Sequence, residues 1–396
     1  MKKILFIIDF PISNFLPSGA LRYFELAKVL KDKYKVAIVG VYKDKTAIEI
    51  DGVELLDISA FIEYNLGLKI SLPNKKFLDA INKFDLIVTH GRILSSFAEK
   101  DITPKVIIDL YAPWFIEDLV GGKDGMHKVN MEQIKKIVSY GTHFLCASER
   151  QRDLYIGIFL SFGITDKNLD QKFSILPIGI PSNNPMRGKS LLRGDSLKFS
   201  NQDKIVMWWS GIWEWLDPIT PIKGMKKIAK YRDDIKLLFI PVKGGEAGKG
   251  VSQIAKESIG LSKSMGMFDK KIFFIDQWVP YEERGNILLD ADIGIISHHA
   301  NIETRFSWRT RGLDFLWSET PIVTTGGDPL SEIIKDNDLG LVIPSDDPEA
   351  FADAVLELFN NRDQYDKIKA NIYEFKPSLY WENLAVALEW VIEELV

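Results

Sequence analysis

Residues 303–317 read ETRFSWRTRGLDFLW, which sets Glu303, Arg305, Arg309, Arg311 and Asp314 among Phe, Trp and Leu. TTGGDP follows at 324–329. Unpaired charge is costly in an apolar segment, so these groups must either neutralise one another or serve a ligand. Guanidinium forks suit a diphosphate, and the carboxylates are left over for hydroxyls. If residues 309–317 are helical, Arg311 and Asp314 are three apart and can pair, while Leu313, Leu316 and Trp317 face the core. The order around them is a strand (DIGIIS), a loop with Glu303 and Arg305, this helix, a second strand (TPIVTT), GGDP and a second helix (LSEIIKD). Two helix amino ends at strand carboxyl ends, with paired glycines and three arginines, suit an anionic diphosphate.

The elements that must hold this cluster are legible as alternating runs. KILFIID, KVAIVGVY, DLIVTH, KVIIDLY, THFLCAS and FSILPIG precede IVMWWSG, IKLLFIPV, KIFFIDQ, DIGIIS, TPIVTT and GLVIPS, each followed by helical spacing. Such alternation predicts α/β architecture with parallel sheets covered on both faces. A chain of 396 residues exceeds the usual size of one core. The aperiodic polar stretch IPSNNPMRGKSLLRGDSLKFSNQDK divides it, giving domains at 1–180 and 204–375 with a linker at 181–203. Doubly wound domains joined in this way are expected to turn their strand carboxyl ends toward a common central cleft. The tail YWENLAVALEWVIEEL predicts a terminal amphipathic helix within 376–396, with Trp381, Leu384, Leu388 and Val391 on one stripe, crossing back to the first domain.

Composition narrows the function. The apolar run in MKKILFIIDF is only five residues long, short for a secretory leader, and reads as a first buried strand. No apolar run reaches the length of a membrane span, and a single Cys146 leaves no internal disulfide; a cytoplasmic protein is expected. A net charge of −5 argues against a nucleic-acid partner. Residues 1–180 are slightly basic and the remainder acidic, compatible with an approach of the first domain to anionic lipid headgroups, as a peripheral membrane contact, or to an anionic acceptor.

Two signals are decoys. VKGGEAGKG at 242–250 spaces its glycines one residue short of a phosphate loop and lacks the hydroxyl residue. The pair His298 and His299 points to opposite sides of any regular element, with no acid or Cys nearby in sequence, so no metal is expected. Gly19, near the start of an amphipathic helix, can turn backbone amides toward an anion. Asp217 and Pro218 read as a helix cap followed by a first-turn proline.

The ordered series VPYEERGNILLDADIGIIS, the 303–317 stretch followed by Thr320-Pro321-Ile322-Val323, Gly326-Gly327 with Glu332, and LGLVIPSDDPEAFADAV resembles the carboxyl domain of retaining family 4 glycosyltransferases with the GT-B fold, the glycosyl transferases group 1. The first half is similar more loosely, through its glycine-bearing first loop, FDLIVTH, FLCASERQRDLY and KFSILPIGI. The resemblance implies two Rossmann-like domains and transfer of a sugar, with retention, from a nucleotide sugar to a hydroxyl of a saccharide or lipid-linked acceptor, in surface polysaccharide or glycolipid assembly. No cofactor beyond the donor and no metal are implied.

Counted back without gaps from Pro321, Asp314 stands at the second Glu of the family's E-x7-E element, which holds ribose hydroxyls. Phe306 stands at the first Glu, which touches the donor sugar, and Glu303 substitutes only with a three-residue shift. Arg309 and Thr310 fall where backbone amides approach the diphosphate, and Gly211 falls in the turn after the domain's first strand. Backbone at Trp278 and Val279 is implied to receive the base. The family's Arg and Lys clamp is absent from WWSGIWEWLDP, so Arg309, with Arg305 or Arg311, is the nearest source of positive charge. Asp109 or Tyr111 occupies the place of the family's His after its fourth strand and is expected to orient the acceptor or a sugar hydroxyl. Some of Trp208, Trp209, Trp213 and Trp215 are expected to offer rings to sugar faces. A nucleotide-sugar epimerase and a nucleotide-sugar-binding relic without catalysis are the rival readings.

Overall fold

The computed structural model describes residues 1–12, 18–42, 50–57, 75–194, 198–241, 251–276 and 279–396. The chain divides into two compact units, Met1–Gly179 with Leu379–Val396, and Ile180–Ser378.

The first unit is built on seven parallel strands: β1 (Lys3–Ile12), β2 (Lys35–Tyr42), β3 (Glu54–Asp57), β4 (Leu86–Thr89), β5 (Lys105–Asp109), β6 (His143–Cys146) and β7 (Phe173–Ile175). Their order is β3-β2-β1-β4-β5-β6-β7. The opening apolar run becomes β1, whose Ile4, Leu5, Phe6 and Ile7 are fully buried. Strand β3 was not legible in the sequence, because this short edge strand is only half-buried and carries no apolar run. The helix Trp381–Leu395 belongs to this unit and buries Trp381, Ala385, Leu388, Val391 and Ile392. Lys33 bonds Glu389 at 2.6 Å and the Tyr34 hydroxyl bonds Glu393 at 2.8 Å, fixing the helix against the end of the sheet.

The second unit holds β8 (Lys204–Trp209), β9 (Ile235–Ile240), β10 (Ile272–Phe274), β11 (Ile293–Ile296), β12 (Ile322–Thr325) and β13 (Gly340–Ile343), in the order β10-β9-β8-β11-β12-β13. All are parallel. Both sheets are doubly wound, and each reverses its winding beside its first strand, between β1 and β4 and between β8 and β11. Open α/β sheets bind ligands at the strand carboxyl ends beside such a reversal. The stretch expected as a linker is tied into this unit around buried Asp290, which takes Arg187 at 3.1 Å and the Ser190 hydroxyl at 2.7 Å. Its polar composition concealed that anchor.

Two glycines set the position of the charged helix. A Cβ on Gly294 of β11 would stand 2.3 Å from the Phe315 ring, and one on Gly312 would stand 2.6 Å from Ile296 and Leu330. The helix Thr310–Trp317 therefore lies close over β11 and buries Leu313, Phe315, Leu316 and Trp317. Among the described residues, no helix is long and apolar enough to cross a membrane.

Candidate functional site

The charged stretch folds as two short helices, Ile302–Phe306 and Thr310–Trp317, broken at Ser307 to Arg309. The break turns Glu303 and Arg309 toward each other. Arg309 Nη1 bonds Glu303 Oε1 at 2.8 Å and Nη2 bonds Oε2 at 2.7 Å, while the Ser307 hydroxyl also donates to Glu303. Both side chains are buried. The guanidinium expected to meet a diphosphate is thus neutralised inside the protein. The amino end of Thr310–Trp317 receives no side-chain cap from Arg309, which leaves its first-turn amides, at Thr310 and Arg311, as the positive end of the helix. Arg311 is 47% exposed, and Asp314 lies only within 4.0 Å of it.

Asp314 is instead held from two other directions. Trp209 Nε1, at the carboxyl end of β8, donates to Oδ2 at 2.8 Å, and Arg284 Nε donates to Oδ1 at 3.2 Å. The Arg284 guanidinium lies 3.4 Å from the centre of the Tyr281 ring and 4.2 Å from that of Trp317.

The second helix amino end is closed. Asp328 Oδ1 accepts the amides of Leu330 and Ser331 at 2.9 and 3.0 Å, and Ser331 bonds back to the amide of Asp328. This corrects the expectation of two open helix starts: the sequence GGDP supplies its own capping anion. Asp328 Oδ2 faces His298 Nε2 at 3.2 Å, and His298 Nδ1 lies 3.0 Å from the Thr325 hydroxyl. Burial, reinforced by the charge of Arg309, pushes the His298 pKa below its ordinary value. Burial would raise Asp328, but His298, Arg309 and the Ser331 amide outweigh it and hold the carboxyl below its usual range. The pair is a neutral imidazole beside a carboxylate.

Gly211 is buried at the turn after β8, and Val279 is buried near the end of β10. Trp278 and the glycine-rich stretch at 242–250 lie outside the described residues. Of the four tryptophans, Trp208 and Trp209 are core, whereas Trp213 and Trp215 stack at 5.5 Å with rings 2° from parallel, half-buried at the surface. Glu214 between them accepts the amides of Gln253 and Ile254, which pins the loop. Asp217 caps the following helix through the amides of Ile219 and Thr220 at 3.1 and 3.0 Å.

His298 and His299 do point apart, but the reading that no acid accompanies them is corrected. Asp217, His299 and Asp346 come within 4.8 Å of one another, from the ends of three strands too far apart in sequence for spacing to reveal. His299 Nδ1 bonds Asp346 Oδ1 at 2.7 Å. Among the described residues, these three could hold a metal ion.

In the first unit, Asp109 at the end of β5 has no exposed surface. It forms an ion pair with buried Arg22, Nε to Oδ2 at 2.7 Å and Nη2 to Oδ1 at 3.3 Å, and Arg22 also donates to the carbonyls of Leu176 and Pro177. Asp109 therefore braces the strand ends rather than presenting a carboxylate. His90, which sequence reasoning passed over although it ends the strand run DLIVTH, packs 5.5 Å from Tyr23 and 4.8 Å from Tyr111, with Nδ1 2.8 Å from the Asp109 carbonyl. Burial lowers its pKa and raises that of Asp9, which accepts the Arg92 amide at 3.0 Å. Gly19 is buried in the helix Ser18–Leu30, and much of the loop before it lies outside the described residues.

Residues 315–375 match the family Glycosyl transferases group 1. No curated protein sequence matches the chain. Among solved structures, the chain is similar to HepE from Anabaena in complex with UDP-glucose, at 13% identity and a TM-score of 0.70 over 100% of this chain and 99% of that one. It is similar to sucrose-phosphate synthase from Thermosynechococcus elongatus at 13% identity and a TM-score of 0.66, over 100% and 99%. WaaG, a glycosyltransferase of lipopolysaccharide biosynthesis, gives 11% identity and a TM-score of 0.66, over 97% and 99%. The fold is GT-B, two Rossmann-like domains as found in these glycosyltransferases.

Proposed function

We propose that the protein is a glycosyltransferase that moves a sugar from a nucleotide sugar to a hydroxyl of a saccharide or lipid-linked acceptor, with retention, in surface polysaccharide or glycolipid assembly. The observation that carries this is the match to Glycosyl transferases group 1 over 315–375, which begins immediately after Asp314 and includes Gly326 and Gly327. In this reading Asp314 accepts the ribose hydroxyls, and the uncapped amides of Thr310 and Arg311, with the Arg311 guanidinium and the Gly211 turn, receive the diphosphate. Fixed donors aimed at a departing diphosphate stabilise the transition state more than the ground state. The departing phosphate takes the acceptor's proton, so no obligate protein base is needed. Glu303 and Arg309 shape the loop beneath the sugar, and Asp109, through His90 and Tyr111, supports the acceptor side. Backbone at Val279 and Trp278 receives the base.

The location is cytoplasmic, with peripheral contact at a membrane. Half-exposed or exposed Leu119, Met126 and Val129, accompanied by Lys123 and Lys128, support that contact.

A second reading, binding without turnover, is favoured by one observation: the Glu303 carboxylate is neutralised by Arg309. Incubation with UDP-, GDP-, ADP- and dTDP-sugars, followed by NMR of the products, separates the readings. Slow donor hydrolysis, with the donor's anomeric configuration kept on transfer, is the expected result. Binding without turnover supports the relic, interconversion of the sugars supports an epimerase, and no binding at all sinks the proposal.

A further inference from the structure

Asp314 is one methylene shorter than a glutamate, and the structure compensates with two donors that no helical spacing rule would supply. Trp209 reaches its Oδ2 from the end of β8, and Arg284 reaches its Oδ1 from the helix Arg284–Leu288, at 2.8 and 3.2 Å. Neither donor is free to wander. The Trp209 side chain is buried, and the Arg284 guanidinium is held between the Tyr281 and Trp317 rings while Nη1 donates to the Tyr281 carbonyl at 2.7 Å.

A carboxylate offers about four acceptor sites, and two are engaged by these fixed donors. Asp314 keeps 17% of its side chain exposed, and Arg311 Nη1 stands 4.0 Å from its Oδ2, beyond hydrogen-bond reach, so acceptor capacity remains for a ligand. An acceptor locked in direction discriminates by geometry: a hydroxyl in the right place bonds, and a ligand lacking it leaves the partly buried carboxylate short of a partner. We infer that Trp209 and Arg284 are positioning residues that aim Asp314 at a ribose diol and thereby make the site select ribonucleotides over 2′-deoxyribonucleotides. The inference rests on the nucleotide-sugar reading above and adds to it a specificity and the two residues that set it.

The test is calorimetric affinity for UDP, GDP and ADP and for their 2′-deoxy counterparts, with pyrophosphate as a probe of the diphosphate site alone. The wild-type protein should prefer the ribonucleotide that it binds by about tenfold or more. Trp209→Phe keeps an aromatic ring and removes only the indole donor, and Arg284→Lys keeps the charge and removes the Nε donor. Each should collapse the ribo/deoxy ratio toward one while pyrophosphate affinity stays unchanged. A purely structural role would lower the melting temperature and leave the ratio intact, so thermal melts accompany each measurement and calorimetry is run well below them. If a ribonucleoside diphosphate binds and both variants retain the wild-type ratio, the inference fails and the donor reading survives. If no nucleoside diphosphate binds the wild-type protein, both fail.

Discussion

Arg309 and Glu303 meet through two parallel hydrogen bonds, 2.8 and 2.7 Å long, across the break between two short helices. Six residues separate them, so neither the i,i+3 nor the i,i+4 rule of a continuous helix relates them; the chain must leave the helix at Ser307 for the guanidinium to turn back. Three arginines in one stretch therefore do three different things. Arg309 is internal, Arg305 has its guanidinium 5.9 Å from the centre of the Phe306 ring, and Arg311 keeps about half of its side chain exposed.

Removing only one partner of this buried pair should be severe. Arg309→Ala leaves the Glu303 carboxylate without its cation, at a cost of about 3–5 kcal/mol. The double replacement Arg309→Met with Glu303→Leu should recover much of that loss, since no charge is then stranded. Urea unfolding of the wild type and the two variants measures it. Wild-type stability in Arg309→Ala would show that the pair has no structural weight and would return Arg309 to the ligand.

Asp314→Asn keeps the shape of the side chain and removes its charge. The Trp209 indole can still donate to the amide oxygen, but buried Arg284 loses its carboxylate partner, so some stability should be lost as well, while affinity for a nucleoside diphosphate, measured below the melt, should fall by about 1.5–3 kcal/mol, the range of a hydrogen bond to a charged group. Calorimetry with UDP, GDP and ADP checks this. A variant that melts far below wild type but binds normally would make Asp314 a structural residue.

The strand runs, the two-sheet plan and the capping role of Asp217 were legible because they depend on local periodicity and turn chemistry. Much of the site was not. Trp209, Arg284 and Asp314 lie on three different elements, and Asp217, His299 and Asp346 follow three different strands. Arg311 and Asp314, which have the right helical spacing, approach only to 4.0 Å because Asp314 is drawn toward Trp209 and Arg284. Local spacing lists the candidate pairs, and sheet topology chooses among them. GGDP misled for a related reason: a helix amino end attracts an anion, and the nearest anion was the chain's own Asp328.

Burial of neutral histidines sets a pH dependence. The His143 pKa is pushed down to about 4, and burial also lowers those of His90 and His298. In the unfolded chain histidine titrates near 6.5. The unfolded state thus takes up protons first as pH falls, so this stability is complete above about pH 6.5 and is lost progressively toward pH 4, about 3 kcal/mol for His143 alone. Urea unfolding across that window should reveal the slope, and His143→Gln should flatten it. A slope unchanged in that variant would mean that His143 is protonated in the native protein.

The cluster of Asp217, His299 and Asp346 can be tested by chelation. Asp217 is engaged with two helix amides and His299 with Asp346, so each has a protein partner already. Turnover and donor binding should persist in excess EDTA. Loss of activity restored by manganese or magnesium, and abolished in His299→Ala, would assign an ion to these three side chains.

Arg311 is the arginine whose position suits the diphosphate. Its side chain is 47% exposed, it follows the uncapped first residue of the helix Thr310–Trp317, and its nearest carboxylate stands at 4.0 Å, too far for a strong hydrogen bond. A charge-assisted contact to phosphate is worth about 1.5–3 kcal/mol, and one that tightens as the diphosphate departs appears chiefly in kcat. Arg311→Ala should therefore lower turnover by roughly 10- to 100-fold and weaken binding of a nucleoside diphosphate more than that of the nucleoside. Its melting temperature should stay close to wild type, because no carboxylate is left buried without a partner. Lysine at 311 should rescue only part of the activity, since it keeps the charge and loses the fork. Wild-type turnover and diphosphate affinity in Arg311→Ala would eliminate this side chain and leave the helix amides and the Gly211 turn to hold the phosphates.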